Sequence, residues 1–371
     1  MPTITSRERV KKTLEFEDTD RNPRDLWWVD AVELYQKKEL NEVLEKFPPD
    51  IIQPQIKPHK TPIQRNSVYT PQFTYNSGFE LSTKGKYIDE WGCVKSVAED
   101  GVNGEVKEPL LKDITNLEKV KPPWEYLKSV NISAVNERYK QTNKFVLSPV
   151  CARPFERMQF LRGTENLYKD LIKKTDEVLN LLDIVHKYNL EHIKKWLETD
   201  VDGIFLMDDW GGQSNLLISP RLWREIFKPI YQEYIELIHN ADKYVFFHSD
   251  GCIEKLYEDF AKLGVDAINS QLFVMDIKEI AQNYGGMITF WGEIDRQNIL
   301  PYGTTLEVER AVFKVRKEFK KYSGGLIAQC EWGKNNPKEN IETVFNSWQT
   351  PFEELEKKMQ KLRLDRGNLE G

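Results

Sequence analysis

The residues best suited to chemistry stand in residues 244–252 (YVFFHSDGC), where an apolar run ends in His248 and is followed by Asp250. Residues 245–247 form a continuous β-prone run, which is typical of a strand buried on both faces in a parallel sheet. Residues 253–263 have apolar side chains at helical spacing, so a helix is predicted after the polar turn. In α/β proteins catalytic groups collect at the carboxyl ends of strands, and this turn is therefore predicted to form part of a site.

Similar polar groups follow four other predicted strands. They are Asp208, Asp209 and Trp210; Asn269 and Gln271; Trp291 and Glu293; and Cys330, Glu331 and Trp332. If these strands belong to one barrel, the residues just after them share one mouth. We therefore expect a histidine, carboxylates, at least one cysteine and the amide of Gln271 to line a single cleft.

His248 and Cys330 are candidate zinc ligands, since zinc accepts imidazole and thiolate together. A catalytic zinc needs three protein ligands, and Asp250 or Glu331 could supply the third. Two alternatives remain open at this point. His248 could act by hydrogen bonding or as an acid or base, and Cys330 could be an inert buried thiol.

Asp208 and Asp209 are adjacent, so in an extended segment their side chains point in opposite directions. The one that faces the cleft could donate or accept a proton if apolar walls raise its pKa. The other could cap a helix or pair with an arginine; the alternative is that one is solvated and the other is a cap. Glu293 and Asp295 present the same choice, with Arg296 as the expected charge partner of one of them.

Tryptophans recur at or just after predicted strand ends. They are Trp28, Trp210, Trp291 and Trp332, and Trp91 lies in a segment expected to cover the same rim. They predict a substrate site lined by aromatic faces, with Gln271 as a polar contact. Such a site suits a ring-bearing, apolar or quaternary-cation ligand.

These groups would be positioned by an alternating series of eight strands and helices. The predicted strands are 23–29, 50–54, 144–150, 201–207, 243–247, 265–269, 287–291 and 325–329. The predicted helices are 32–47, 155–198, 220–239, 253–263, 276–284, 305–322 and 338–348. Alternation of this count predicts an α/β fold, a (β/α)8 TIM barrel, with an open doubly wound sheet as the alternative.

Two segments depart from the alternation. Residues 5–16 begin with Thr5, Ser6 and Glu8 and predict a capped N-terminal helical extension. Residues 61–122 contain recurrent glycines among β-prone residues, which predicts a β-rich antiparallel insertion on one rim. We therefore expect a single barrel domain over residues 1–371, with this insertion.

Composition excludes several classes of protein. The net charge of -6 and the absence of Lys/Arg blocks argue against nucleic acid or a membrane surface as partner. No apolar run is long enough for a membrane span, and the start of the chain lacks a signal-peptide pattern. The four cysteines are widely spaced, which predicts reduced thiols and a cytoplasmic location. A small-molecule substrate is therefore expected.

With these residues in place, the chain resembles the uroporphyrinogen decarboxylase superfamily, which also contains cobamide-dependent methyltransferases. The resemblance covers nearly the whole chain. It rests on residues 6–10 (SRERV) with Asp20, Arg21 and Pro23; 155–157 (FER) with 161–163 (LRG); 208–211 (DDWG) and 218–220 (ISP); 247–251 (FHSDG); 264–269 (GVDAIN); and 292–295 (GEID) with Pro337.

Two departures from the family pattern bear on the reaction. True uroporphyrinogen decarboxylases carry an Arg-Gln-Ala-Gly-Arg segment that binds the carboxylates of the tetrapyrrole, whereas residues 24–30 here read RDLWWVD. The methyltransferase branch holds zinc with a His-x-Cys pair and a later cysteine. This chain keeps His248 and Cys330 and has Asp250 at the middle position, and zinc also accepts aspartate oxygen.

The resemblance implies a methyltransferase of a corrinoid-dependent system, for example an O-demethylase component. It would move a methyl group between a small substrate (an aryl methyl ether, a methylamine-like cation or a thiol) and a corrinoid supplied by a partner protein. It implies zinc at His248, Asp250 and Cys330, and catalytic roles for Asp208, Asp209, His248 and Glu293. A homodimer is a further expectation. The alternatives are a metal-independent decarboxylase of a small aromatic or porphyrin-like acid, and a barrel that only binds a ligand.

Overall fold

The computed structural model describes residues 4–54, 84–102, 104–128 and 130–367. Its strands are β1 Arg24–Trp28, β2 Ile51–Ile52, β3 Gly85–Ile88, β4 Val94–Val97, β5 Glu105–Glu108, β6 Phe145–Ala152, β7 Gly203–Met207, β8 Tyr244–Ser249, β9 Ala267–Ser270, β10 Thr289–Trp291 and β11 Leu326–Trp332. Each of the eight strands predicted for the main sheet is present, although β2 has only two residues.

The main sheet is that of a TIM-like α/β barrel. Its eight strands follow the order β1-β11-β10-β9-β8-β7-β6-β2, and the pairs β1/β11, β10/β11, β6/β7 and β7/β8 are parallel. At the start of β2, the N–H of Asp50 donates to the carbonyl of Arg24 in β1 at 2.7 Å. The predicted fold class is confirmed, and the open doubly wound alternative is not.

Helices fill the connections between these strands. They are α1 Ser6–Leu14, α2 Asp30–Tyr35, α3 Lys37–Lys46, α4 Trp124–Lys128, α5 Ile132–Lys140, α6 Pro154–Arg162, α7 Thr164–Lys173, α8 Asp176–Leu197, α9 Pro220–Ile226, α10 Lys228–His239, α11 Tyr257–Leu263, α12 Ile277–Tyr284, α13 Ile299–Tyr302, α14 Thr305–Phe319, α15 Lys338–Gln349 and α16 Phe352–Gly367. The predicted helix at 155–198 is interrupted at Gly163, where φ is 82°, and again before α8.

The chain forms two compact units. One consists of Met1–Ile51 and Asn269–Gly371, and the other of Ile52–Ile268. The first contains β1, β10 and β11 with α12 to α16, and the second contains β6, β7 and β8 with α4 to α11. The expectation of one domain over residues 1–371 stays a prediction.

The insertion contains a three-stranded antiparallel sheet in the order β3-β4-β5. Of the predicted range 61–122, residues 61–83 lie outside the described residues. Arg157 of α6 attaches this sheet: its guanidinium donates to Asp89 and to Glu90, both at 2.7 Å, in the turn between β3 and β4. Arg157 is buried, so this pair fixes the turn beside the first turns of α6.

The predicted N-terminal helix is confirmed, and a buried carboxylate holds it. Thr5 and Glu8 form a capping box at the start of α1. Arg9 of α1 pairs with Asp50 at 2.7 Å, and Arg21 pairs with the other oxygen of Asp50, also at 2.7 Å. The N–H of Arg24 donates to Asp50 at 2.7 Å. One carboxylate therefore joins α1, the loop before β1, and the start of β1.

All four cysteines are free thiols, and Cys93, Cys151 and Cys330 are buried. Within the described ranges, no helix has the length and apolar character needed to cross a bilayer.

Replacement of Asp50 by Asn is expected to lower the free energy of unfolding by about 3–5 kcal/mol, because it removes the buried charge that pairs with buried Arg9 and with half-buried Arg21. Burial acts to raise the pKa of Asp50, but the hydrogen bond and charge of Arg21 outweigh it, so the pKa is lowered. The stabilisation is therefore present above the unfolded-state pKa and lost as pH falls through the folded-state value. Urea denaturation of both proteins from pH 7 downwards measures this difference.

The matched control is Glu42→Gln, because Glu42 makes an exposed pair with Lys338. Exposed pairs contribute little, so the change in the free energy of unfolding is expected to be much smaller than that of Asp50→Asn. Equal effects of the two substitutions, or an Asp50→Asn difference that does not shrink with acid, would contradict the prediction.

Candidate metal and catalytic site

The alternation of side chains at the end of β8 directs His248 away from the helices. Phe247 packs on Phe260 of α11 with ring centroids 4.6 Å apart and on Tyr231 of α10 at 5.4 Å. Successive side chains of a strand point to opposite faces, so His248 lies on the other face. Met207 of β7 is its register partner on that face.

Asp208 and Asp209 diverge in the same way. Asp208 is fully buried and accepts hydrogen bonds from the backbone N–H groups of Phe155 at 2.9 Å and Glu156 at 2.8 Å, and from the hydroxyl of Tyr231. It therefore binds the first turn of α6. Burial raises the pKa of Asp208 to about 8, and the hydrogen bonds from Tyr231 and the two N–H groups act in the opposite direction.

This position gives Asp208 the role of a cap on α6, which is one of the two roles considered from the sequence. Its predicted catalytic role stays a prediction.

Asp209 lies beside His248. The Nε2 atom of His248 is 3.6 Å from Oδ1 of Asp209 and 3.5 Å from Oδ1 of Asp250. One ligand atom from each of these three residues lies within 4.8 Å of the other two. Among the described residues, Asp209, His248 and Asp250 form a group of potential ligands that are close enough to share one ion.

The backbone fixes this group. The N–H of Asp250 donates to Oδ1 of Asp209 at 3.0 Å, and the N–H of Trp210 donates to the hydroxyl of Ser249 at 3.0 Å. The N–H of Gly211 donates to the carbonyl of Asp250 at 3.0 Å. The segments that follow β7 and β8 thus hold each other in register, so both carboxylates are held beside the imidazole.

The charge of this group favours a cation. Burial raises the pKa of Asp209, the negative charges of Asp250 and Glu156 raise it further, and His248 acts in the opposite direction. Two half-buried carboxylates held beside an imidazole are compensated by a divalent cation. The distances from His248 Nε2 to the two carboxylates, 3.6 and 3.5 Å, are close to the ideal value. In a tetrahedral site with bonds of about 2.1 Å, neighbouring ligand atoms lie about 3.4 Å apart.

Cys330, the third ligand predicted from the sequence, is not a member of this group. In β11 its register partner is Leu26, whereas Gln329 pairs with Asp25 and Glu331 with Trp27. Cys330 therefore lies on the opposite face of β11 from Gln329 and Glu331. The thiol is fully buried, and burial together with the charges of Glu293 and Asp25 raises its pKa. The group close enough to share one ion contains Asp209, and the predicted role of Cys330 as a ligand stays a prediction.

Glu293 belongs to a separate charged cluster in the unit that contains β10 and β11. Arg296 pairs with Glu293 at 3.0 Å and with Glu331 at 3.0 Å. Arg296 as the partner of Glu293 agrees with the sequence-based expectation. The catalytic role of Glu293 stays a prediction.

Most of the predicted aromatic residues are in the interior. Trp210 stacks on Phe155 with centroids 4.1 Å apart, and Trp332 donates from Nε1 to the carbonyl of Asn336. Trp210, Trp291 and Trp332 are 1%, 0% and 0% exposed, and their contact with a substrate stays a prediction. Trp28 is partly exposed. Trp91 packs on Tyr188 at 5.0 Å.

The predicted substrate contact of Gln271 stays a prediction. Its side chain is buried, in the segment that follows β9.

The sequence reasoning missed Asp25 and Trp27. Oδ2 of Asp25 accepts hydrogen bonds from Nε1 of Trp27 and from Nε1 of Trp291, both at 2.9 Å. Burial raises the pKa of Asp25 to about 7, and these two hydrogen bonds act to lower it. The sequence did contain a signal for Asp25, because an acid within the apolar run of β1 needs a specific hydrogen-bond partner when the strand is buried.

Fold and site together define an enzyme-like TIM barrel with carboxylates and a histidine gathered at strand ends. The model of the family "Uroporphyrinogen decarboxylase (URO-D)" matches residues 90–350. This chain belongs to that family. Comparison with curated proteins finds no match.

A solved structure shares this fold. A methyltransferase from Methanosarcina mazei has 17% sequence identity and a TM-score of 0.66, over 93% of this chain and 98% of that one. An endo-beta-1,4-xylanase from Gloeophyllum trabeum has 9% identity and a TM-score of 0.44, over 94% and 99% of the two chains. A dihydropteroate synthase from Anaplasma phagocytophilum has 15% identity and a TM-score of 0.33, over 46% and 68%. The last two scores are too low to carry an argument.

Substitution of Gly251 by Ala is expected to disrupt the group. A Cβ at Gly251 would lie 2.1 Å from the carbonyl oxygen of Gly211, and the φ of Gly251 is +79°. The clash is with the backbone of Gly211, which can move only at a large energetic cost. We therefore expect a loss of about 2–4 kcal/mol in the free energy of unfolding. Gly212→Ala is the matched control, since its nearest contact is 3.4 Å. Thermal denaturation measures both, and a Gly251→Ala protein as stable as Gly212→Ala would contradict the geometry.

Proposed function

We propose that this protein is the methyltransferase component of a corrinoid-dependent system. It would transfer a methyl group between a small substrate and a corrinoid carried by a separate partner protein. The observation that carries the proposal is the Asp209, His248 and Asp250 group at the ends of β7 and β8. Family membership and the barrel shared with a Methanosarcina mazei methyltransferase support it.

We propose zinc as the ion, held by Asp209, His248 and Asp250. The donor set fits, since zinc accepts imidazole and carboxylate oxygen, although two carboxylates also suit harder ions such as Mn²⁺. A bound divalent ion would stabilise negative charge on the oxygen or sulfur atom that loses or receives the methyl group.

The chain's own residues prepare this site. Asp208 accepts hydrogen bonds from the first turn of α6 and so anchors the end of β7 to that helix. Asp209, the next residue, is thereby held in place, and its own carboxylate is not used as the helix cap. Hydrogen bonds between the two loops keep the carboxylates beside His248 before any ligand arrives. Such preorganisation lowers the cost of binding and of charge development.

A second candidate is a metal-independent decarboxylase of a small aromatic or porphyrin-like acid. It is favoured by Asp25, whose carboxyl group has a pKa raised to about 7 and can therefore exchange a proton near neutral pH.

Metal analysis separates the two candidates. We expect about one divalent ion per chain after purification with zinc, and its loss in Asp209→Ala, His248→Ala and Asp250→Ala. Cys330→Ala should keep the ion, as should the surface control Asp183→Asn. Elemental analysis and calorimetric titration measure this. Loss of the ion in Cys330→Ala but not in Asp209→Ala would restore the ligand set predicted from the sequence, and a fully active metal-free protein would favour the lyase.

The function itself is tested with a reduced corrinoid protein as partner. We incubate the purified chain with methyl ethers, methylated amines or thioethers and follow the visible spectrum of cobalt, which changes when Co(I) becomes methylated. Methyl transfer should fall by at least about 100-fold in His248→Ala, because the stabilisation of the leaving atom is lost. No methylation with any substrate class, together with carbon dioxide release from an aromatic acid, would refute the proposal.

A further inference from the structure

The hydrogen bonds between β7 and β8 lose their regular pattern beside the candidate ion ligands. Within the two strands the parallel register is continuous, and just after β7 the N–H of Asp208 donates to the carbonyl of His248 at 3.0 Å. A regular parallel ladder advances by two residues on each strand, so the next bond should run from Trp210 to Asp250. The N–H that reaches the carbonyl of Asp250, at 3.0 Å, is instead that of Gly211. The β7 side of the ladder therefore contains one extra residue.

Two side chains take over the backbone groups that the ladder leaves out. The N–H of Trp210 donates to the hydroxyl oxygen of Ser249 at 3.0 Å, and the N–H of Asp250 donates to Oδ1 of Asp209 at 3.0 Å. In a regular ladder both N–H groups would have donated to carbonyl groups of the neighbouring strand. The loops are thus joined here by one candidate ligand, Asp209, and by one residue outside the ligand group, Ser249.

Ser249 is placed to hold both loops at once. It lies between His248 and Asp250 in the chain, and it is fully buried. Its side chain points to the face opposite to the imidazole, because successive residues of a strand alternate. Its partner Trp210 directly follows Asp209, and the indole of Trp210 stacks on a ring of α6 with centroids 4.1 Å apart. One hydroxyl therefore links the residue after one candidate ligand to the residue between the other two.

We propose that Ser249 is a positioning residue for the divalent ion, because its hydroxyl sets the distance between Asp209 and the pair His248 and Asp250. Without this acceptor the N–H of Trp210 would lose the bond that it makes here, and the loop after β7 would have to move to satisfy it. Such a movement changes the spacing of the ligand atoms, on which the affinity for the ion depends. The inference rests on the proposed function, since the ion is part of it.

The test is the zinc affinity of the whole protein, measured by competition with a chromophoric chelator. Ser249→Ala should weaken zinc binding about tenfold or more, since loss of a group that orients metal ligands typically costs about 10- to 100-fold. A second pair of variants separates the hydroxyl from the size of the side chain. Ser249→Thr should bind zinc more tightly than Ser249→Val, because the two have the same shape and only threonine retains the acceptor.

The matched control is Ser148→Ala. Ser148 is also fully buried, and its hydroxyl accepts a hydrogen bond from the backbone N–H of Phe205 at 2.9 Å, in the regular part of β7. If both serines have only a structural role, both variants should lose thermal stability and keep the zinc affinity. If Ser249 positions the ligands, only Ser249→Ala should lose affinity.

Cobalt(II) in place of zinc gives a second readout, because its visible absorption depends on the number and geometry of its ligands. The spectrum should change in Ser249→Ala and should stay that of the natural protein in Ser148→Ala. Three results would overturn the role of Ser249: an unchanged zinc affinity in Ser249→Ala, equal losses of affinity in the two alanine variants, or equal affinities of folded Ser249→Thr and Ser249→Val.

The assay needs neither a corrinoid nor a methyl donor, so its failure is distinct from failure of the proposed function. A natural protein that binds neither zinc nor cobalt(II) would refute the ion site and this inference with it. Zinc binding that depends on Ser249, without methyl transfer to a corrinoid, would refute the methyltransferase and leave the positioning role standing. Zinc binding that is indifferent to Ser249 would refute the positioning role alone.

Discussion

The alternation of side chains across the pleated strand decides which residues of this protein can do chemistry. At the ends of β7 and β8 it places Asp209 and His248 on one face, while their chain neighbours Asp208 and Phe247 pack towards the helices. In β11 the same alternation separates Cys330 from Glu331. A shift by one residue would turn the imidazole towards the helices and Phe247 towards the opposite face, so the hydrophobic packing of Phe247 fixes the orientation of His248.

The two loops after these strands are held by contacts between backbones. Gly251 approaches the carbonyl of Gly211 so closely that no side chain fits, and the N–H of Gly211 reaches the carbonyl of Asp250. The close approach brings two carboxylates together, and burial, with the negative charges of Asp250 and Glu156 added to it, raises the pKa of Asp209. Carboxyl groups with a raised pKa often occur at sites that bind a cation or transfer a proton.

The charged side chains near this group form ion pairs with one another. Arg157 pairs with Asp89 and Glu90 of the insertion, and Arg153 pairs with Glu156 in the first turn of α6. Asp208 receives the N–H groups of that turn. The insertion therefore contributes to the site by holding α6.

The sequence alone determined the eight strands of the barrel, because each is a short apolar run with a polar segment after it, and it placed His248, Asp209 and Asp250 at strand ends. It also predicted that Asp208 and Asp209 diverge, since period two is a local property of an extended chain. Only the tertiary structure decided which member of each pair faces away from the helices, because that depends on which side the helices pack. For the same reason the sequence did not single out Asp209 as the third member of the group with His248 and Asp250. The hydrogen bond from Trp291 to Asp25, which lie 266 residues apart, could not be found from spacing.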